Sequence, residues 1–267
     1  MLSQLLLNTR IHLRFYVRNR LLLAFGLVML LLFSLTLVSM LLFASTSDRF
    51  NTLRMITSQM SGYALVFVAS LGLFAISSHL RNRSVKLVLT KPCLPEIWLA
   101  SIFLSALVVA VLIYALQAVA AAVLSWCWSI PWQWGFVFVS LDRACQAVIQ
   151  MAFLTCLATA WHPVVAVLIA LFFNEGVFFE LKTLIAGALS ADGGNLWLRA
   201  ARVVCNVFYM ITPIAAPFSE HTESVYSSMR TTGGDWLRLA GVFGYTVLVC
   251  TFLFLVCDYL LRRKSFI

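Results

Sequence analysis

From Ile97 to Leu141 this chain carries no Asp, Glu, Lys or Arg, and residues 21–43 and 56–78 are likewise uncharged. A helix crosses the hydrocarbon layer of a membrane with about 20 consecutive apolar residues, each adding about 1.5 Å. Several runs of that length leave too little polar surface for a water-soluble globule, and in lipid only structures that satisfy their own backbone are viable. Composition agrees: 62% of the 267 residues are hydrophobic and 11% charged, with mean hydropathy +0.96, whereas roughly a quarter of a soluble domain is charged. The stretch from Ile97 to Leu141 is too long for one helix. The segment WCWSIPWQWG divides it, and its Pro131 and four tryptophans mark a membrane interface.

The pattern predicts an all-α polytopic membrane protein forming one transmembrane unit over 1–267, with spans at 21–43, 56–80, 97–125, 136–161, 164–180 and 237–258. His162-Pro163 makes the turn between the fourth and fifth, and Arg262, Arg263 and Lys264 close the sixth. Orientation follows from the retention of Lys and Arg on the cytoplasmic side. The first 20 residues hold Arg10, Arg14, Arg18 and Arg20 and no acid, and the loop after the second span holds Arg81, Arg83, Lys86 and Lys91 against Glu96. The Trp-rich turn is uncharged, and the segment 186–235 is near neutral. Both termini are therefore expected in the cytoplasm, in a plasma (inner) membrane, which requires an even number of spans. Within 186–235, residues 203–218 carry Pro213 and Pro217 and read as a short outer helix, interfacial or re-entrant, because a seventh span would put the basic C-terminus outside. The apolar core of 21–43 is longer than a signal-peptide core, so it reads as a retained span.

Two stretches outside the spans carry pattern. In 1–20, Leu2, Leu5, Leu6, Leu13 and Val17 fall on one helical arc beside an Arg10, Arg14, Arg18 stripe, which predicts a helix lying in the cytoplasmic interface. In 81–96, Val85, Leu87, Val88 and Leu89 alternate with Arg81, Arg83 and Lys86 until Lys91-Pro92 stops the helix. That gives a basic, protruding surface suited to a partner; a positive-inside loop with no partner is the alternative.

Charges within spans are costly enough to be functional suspects. Asp142, Arg143 and Glu175 are the candidates for the substrate pathway; a later start of the fourth span would leave the first two at the outer rim, and an early end of the fifth would leave Glu175 in water. Enzyme constellations are missing: His12, His79, His162 and His221 are isolated, and no HExxH or GxSxG occurs. The seven cysteines are scattered without CxxC pairs, mostly in apolar runs, and Cys127 with Cys205 is the one pair that this topology puts outside. The net charge of +9 falls at segment ends, as topogenic charge does, and not in a nucleic-acid patch.

An amphipathic N-terminal helix, six spans, and the loop residues Arg81, Arg83, Lys86, Leu87, Leu89, Thr90, Lys91, Pro92 and Glu96 together resemble the permease subunits of type-2 ABC transporters. The long outer segment between the last two spans is similar too. The resemblance implies a coupling helix at 81–96 that docks into a separate ABC ATPase, short outer helices between spans five and six, and a pathway enclosed by two six-span halves, as a homo- or heterodimer in membrane lipid, working as an exporter. ATP and Mg would be bound by the ATPase and no cofactor by this chain, since none of Lys86, Lys91, Lys182 and Lys264 sits in a GxxxxGK[ST] loop. A self-contained secondary transporter and a non-transporting membrane scaffold are the competing readings.

Overall fold

A computed structural model describes residues 2–18, 20–43, 49–81, 95–172, 181, 183–188, 196–211 and 223–265. Their helices are α1 (Leu2–Arg18), α2 (Leu21–Phe43), α3 (Arg49–Arg81), α4 (Pro95–Cys127), α5 (Gly135–Ala160), α6 (Pro163–Phe172), α7 (Leu196–Ile211), α8 (Glu223–Ser228) and α9 (Gly233–Ser265), with 183–188 also helical. No strand occurs among the described residues.

Among the described residues, four helices are long and apolar enough to cross a membrane, over Arg49–Ser78, Glu96–Cys127, Gly135–Ala160 and Gly233–Arg263. A fifth is reached if α1 and the start of α2 count as one broken span, bent by 51°. The break falls at Arg20, whose φ of 54° is left-handed and cannot continue a right-handed helix. α2 itself is 23 residues long without a charged side chain, about 34 Å at the helical rise.

The helix ends follow local chemistry. α4 stops where Ser129 turns to φ 57° and the Ile130 N–H reaches back to Ser125 O at 2.8 Å, a left-handed C-terminal cap. Trp161 is extended (φ −124°, ψ 179°) ahead of Pro163, whose fixed φ starts α6. Thr232 caps α9: its N–H and hydroxyl donate to Asp235 Oδ2 at 2.8 and 2.7 Å, and the Asp235 N–H donates back to Thr232 O at 3.1 Å.

Side-chain contacts fix the helix directions. Phe50 meets Phe136 at 6.3 Å near the starts of α3 and α5, and Gly72 lies against Thr155 farther along both, so the two run parallel. α9 is parallel to α5, because Cys250 Sγ donates to Val148 O at 3.9 Å and Cys257 Sγ lies 3.5 Å from Thr159 Oγ1. α4 is antiparallel to α3: Tyr114 OH donates to Ser61 O at 3.2 Å and Gln117 Nε2 to Thr57 O at 2.8 Å. It is antiparallel to α9 as well, with Phe103 on Phe254 at 5.8 Å and Glu96 paired with Arg262. The bundle thus has a Trp-rich end, with Trp132, Trp134 and α8, and a basic end, with α1, Glu96 and Arg262.

Where helices touch, the side chains are small: Ala64, Gly72, Ala75, Ser101, Ala106, Ala110, Ala147, Ala152 and Ala158 sit in the core around Leu71, Ile102 and Met151. Leu112, Leu116, Phe243, Leu248, Phe252 and Leu255 face outward and are exposed. Lipid tails are as apolar as leucine, so membrane helices associate by close backbone approach and leave bulky residues to the lipid. Buried hydroxyls return hydrogen bonds to their own helix, as Thr57 does to Leu53 O at 2.8 Å and Ser101 to Trp98 O at 2.6 Å.

α1 docks through an unexpected face. Thr9, His12 and Tyr16 are buried, Tyr16 completely, with Ser105 Oγ 3.4 Å from its hydroxyl and His12 edge-on to Trp98 at 6.4 Å. Leu2 and Leu6 of the predicted apolar arc, together with Leu7 and Ile11 outside it, stay exposed. α7 presents Leu196, Trp197, Val203, Val204 and Val207 outward; it contains the first part of the 203–218 segment, and 212–222 lie outside the described residues. Cys127 and Cys205 are both free thiols.

Candidate functional site

A buried polar cluster forms near the Trp-rich end of α5. Asp142 is fully buried, seven residues after Gly135, about 10 Å along the helix. Gln146, one turn on, donates through Nε2 to Asp142 Oδ2 at 3.3 Å, and Arg143 Nη1 donates to Gln146 Oε1 at 2.7 Å. Tyr226 of α8 completes the group: its hydroxyl donates to Asp142 Oδ2 at 2.6 Å, and the Arg143 guanidinium lies 5.1 Å from the centre of its ring, within cation–π range.

Backbone contacts hold α8 over this cluster. The Gly135 N–H donates to Met229 O at 3.0 Å, and Arg54 Nη1 donates to Ser227 O. Met229 has φ 53° and is fully buried among Leu53, Ala121, Phe136 and Val139. A Cβ at position 135 would collide with the Met229 carbonyl, so glycine is required for this approach.

The cluster is not fully satisfied. Asp142 Oδ1 and Arg143 Nε are buried without a hydrogen-bond partner. One offers an acceptor and the other a donor, on consecutive residues in the first half of α5. An unpaired buried polar atom costs on the order of 1–3 kcal/mol, so each of the two would gain from a partner.

The other residues singled out by sequence fall in different places. Glu96 is in the first turn of α4 and paired with Arg262, which also donates through Nε to Asp258 Oδ2 at 2.8 Å. Arg81 ends α3, and Arg83, Lys86, Leu89, Lys91 and Pro92 lie outside the described residues. So does Glu175. Among the described residues no three His, Cys, Asp or Glu side chains come together as a metal site would need.

Sequence reasoning missed Gln146, Tyr226, Tyr114 and Gln117. Gln117 left a signal, as the one amide in the apolar stretch before the Trp-rich turn, and Gln146 stands one helical turn after Asp142. Tyr226 left none, because its role depends on α8 folding back over α5.

The fold and this cluster define an all-α membrane protein of several spans. In comparisons with protein-family models and with curated proteins, nothing matches the chain.

Proposed function

We propose that this chain is the membrane-spanning permease subunit of a type-2 ABC transporter, an exporter whose ATPase is a separate polypeptide. It has six spans with both termini cytoplasmic in the plasma (inner) membrane, and two such halves, identical or different, enclose the pathway. Loop 81–96 couples to the ATPase through Arg81, Arg83, Lys86, Leu89, Lys91, Pro92 and Glu96. Asp142 and Arg143 border the pathway, with Glu175 as a third candidate.

The direction of the helices carries the reading. α3, α5 and α9 start at the Trp-rich end and α4 at the basic end. The chain therefore has to return between α5 and α9, through a crossing that begins with the apolar α6. It also has to pass from α1 at the basic end to the start of α3 at the other, and the uncharged α2 lies between them. Six crossings satisfy both demands. The basic end then gathers α1, the last turn of α3, Pro95-Glu96 and Arg262, the surroundings that a coupling loop requires.

The test is affinity capture of the tagged full chain from its native membrane, with the captured material assayed for MgATP hydrolysis. An ATPase bearing a phosphate loop is expected to come with it, and Arg83→Glu with Lys86→Glu to release it. Arg262→Gln, which breaks the pair with Glu96 from the α9 side, serves as a control for the α4–α9 contact. Capture without hydrolytic activity, or an ATPase that stays on the double variant, overturns the reading. Solute movement in proteoliposomes on an ion gradient without ATP would replace it by a secondary transporter.

A further inference from the structure

Arg10, Arg14 and Arg18 follow one another along α1 at intervals of four residues, about 6 Å apart at the helical rise, and all three are exposed. They lie on the side of the helix away from Thr9, His12 and Tyr16, the residues that seat α1 against α4. Like charges at this spacing repel one another. Residues 1–20 contain no acid, and among the described residues no carboxylate pairs with any of the three arginines. The stripe therefore presents three accessible guanidiniums with their charge uncompensated by the bundle.

The same face is apolar between the charges. Leu7, Ile11 and Val17 are exposed there, and an open hollow of about 770 Å³ follows the stripe, with Ile11, Phe15 and Val17 lining it beside the three arginines. A soluble acidic protein would match the arginines alone. A face that mixes cations with apolar side chains fits the boundary of a leaflet, where phosphates lie next to acyl carbons and a guanidinium reaches the headgroups from an apolar stem. α1 is set at such a boundary, because it leads across the bend at Arg20 into α2, 23 residues without a charge and long enough to cross the hydrocarbon layer. Guanidiniums bind phosphate through paired, charge-assisted hydrogen bonds, which a zwitterionic surface supplies without the net negative charge that three adjacent cations call for.

We infer that the Arg10, Arg14, Arg18 face of α1 binds an anionic phospholipid, its phosphate held between neighbouring guanidiniums and its acyl chains against Ile11 and Val17. The site belongs to this chain alone and needs no ATPase, so it stands or falls separately from the permease reading.

The test is native mass spectrometry of the full chain in dodecyl maltoside, titrated with dioleoyl phosphatidylglycerol or dioleoyl phosphatidylcholine. The anionic lipid is expected to bind at least about ten-fold tighter, each guanidinium near the phosphate being worth about five-fold. Arg10→Gln with Arg14→Gln and Arg18→Gln should remove that preference, and the corresponding triple lysine variant should keep most of it, since the charge remains. Arg49→Gln with Arg202→Gln and Arg230→Gln takes the same charge from exposed positions outside α1 and is expected to leave the preference in place. Excess inorganic phosphate should not displace the lipid, because it has nothing to lay against Ile11 and Val17. Equal binding of the two lipids overturns the proposal, as does a preference that survives in the α1 glutamine variant, whether or not that variant loses a protein partner. So does a preference lost equally in the charge-matched control, lost in the lysine variant, or abolished by inorganic phosphate.

Discussion

Gly62 and Gly72 stand ten residues apart on α3, and the difference between them is a matter of what lies opposite. A Cβ on Gly62 meets nothing within 4 Å, whereas one on Gly72 runs into Thr155 Oγ1 and the Met151 side chain of α5. Gly62→Ala is therefore expected to stabilise slightly, by about 0.5–1 kcal/mol through helix propensity. Gly72→Leu has to push α3 off α5, at about 1–3 kcal/mol or more. Unfolding in mixed micelles measures both, and equal effects would mean that α3 and α5 do not meet at Gly72. The Asp142 cluster obeys the same logic. Asp142, Arg143 and Gln146 share α5 and were within reach of a helical wheel, but the hydroxyl that completes the group comes from Tyr226, 84 positions away.

Among elements, α1 shows how far pattern carries. Its hydrophobic arc was legible, but the structure divides it: Leu2, Leu6 and Val17 stay exposed, while Leu13 packs against the core. Its attachment was not legible, because it runs through Thr9, His12 and Tyr16, a strip that reads as semi-polar on a wheel. Tyr16→Ala is expected to cost about 3 kcal/mol, in the range for emptying a buried aromatic site. Tyr16→Phe should cost little, since the contact with Ser105 Oγ is long at 3.4 Å. The unfolding free energies of the two variants decide it; similar losses would shift the credit from packing to the hydroxyl. Glu96 and Arg262 join α4 to α9 with both side chains about half exposed, at 51% and 47%. An exposed pair of this kind contributes about 0–1 kcal/mol, so a strong effect of Glu96→Gln on ATPase association would point to docking and not to loosened helices.

For the whole molecule, the directions of α3, α4, α5 and α9 make a prediction about sidedness. In a variant lacking the native cysteines, Ser3→Cys and Ser265→Cys are expected to react with a membrane-impermeant maleimide from the same side. Cys127, restored alone at the exposed end of α4, should react from the opposite side. Labelling of the two termini from opposite sides would require an odd number of crossings and remove the six-span topology.

The sequence by itself determined that the chain lives in a membrane and where several helices run, because a bilayer tolerates only long uncharged helices and that demand is written residue by residue. It also marked the ends, since prolines, tryptophans and arginines act locally. Which faces meet emerges only from the assembled bundle. Small residues recur all along these spans, so periodicity does not say which alanine or glycine approaches which neighbour, and the close fit of Gly72 to Thr155 and of Gly135 to Met229 appears only when the helices are assembled. The same holds for the unpartnered atoms of Asp142, Arg143 and Gln117. An orphaned polar group is a property of its surroundings, and those are brought together from distant parts of the chain.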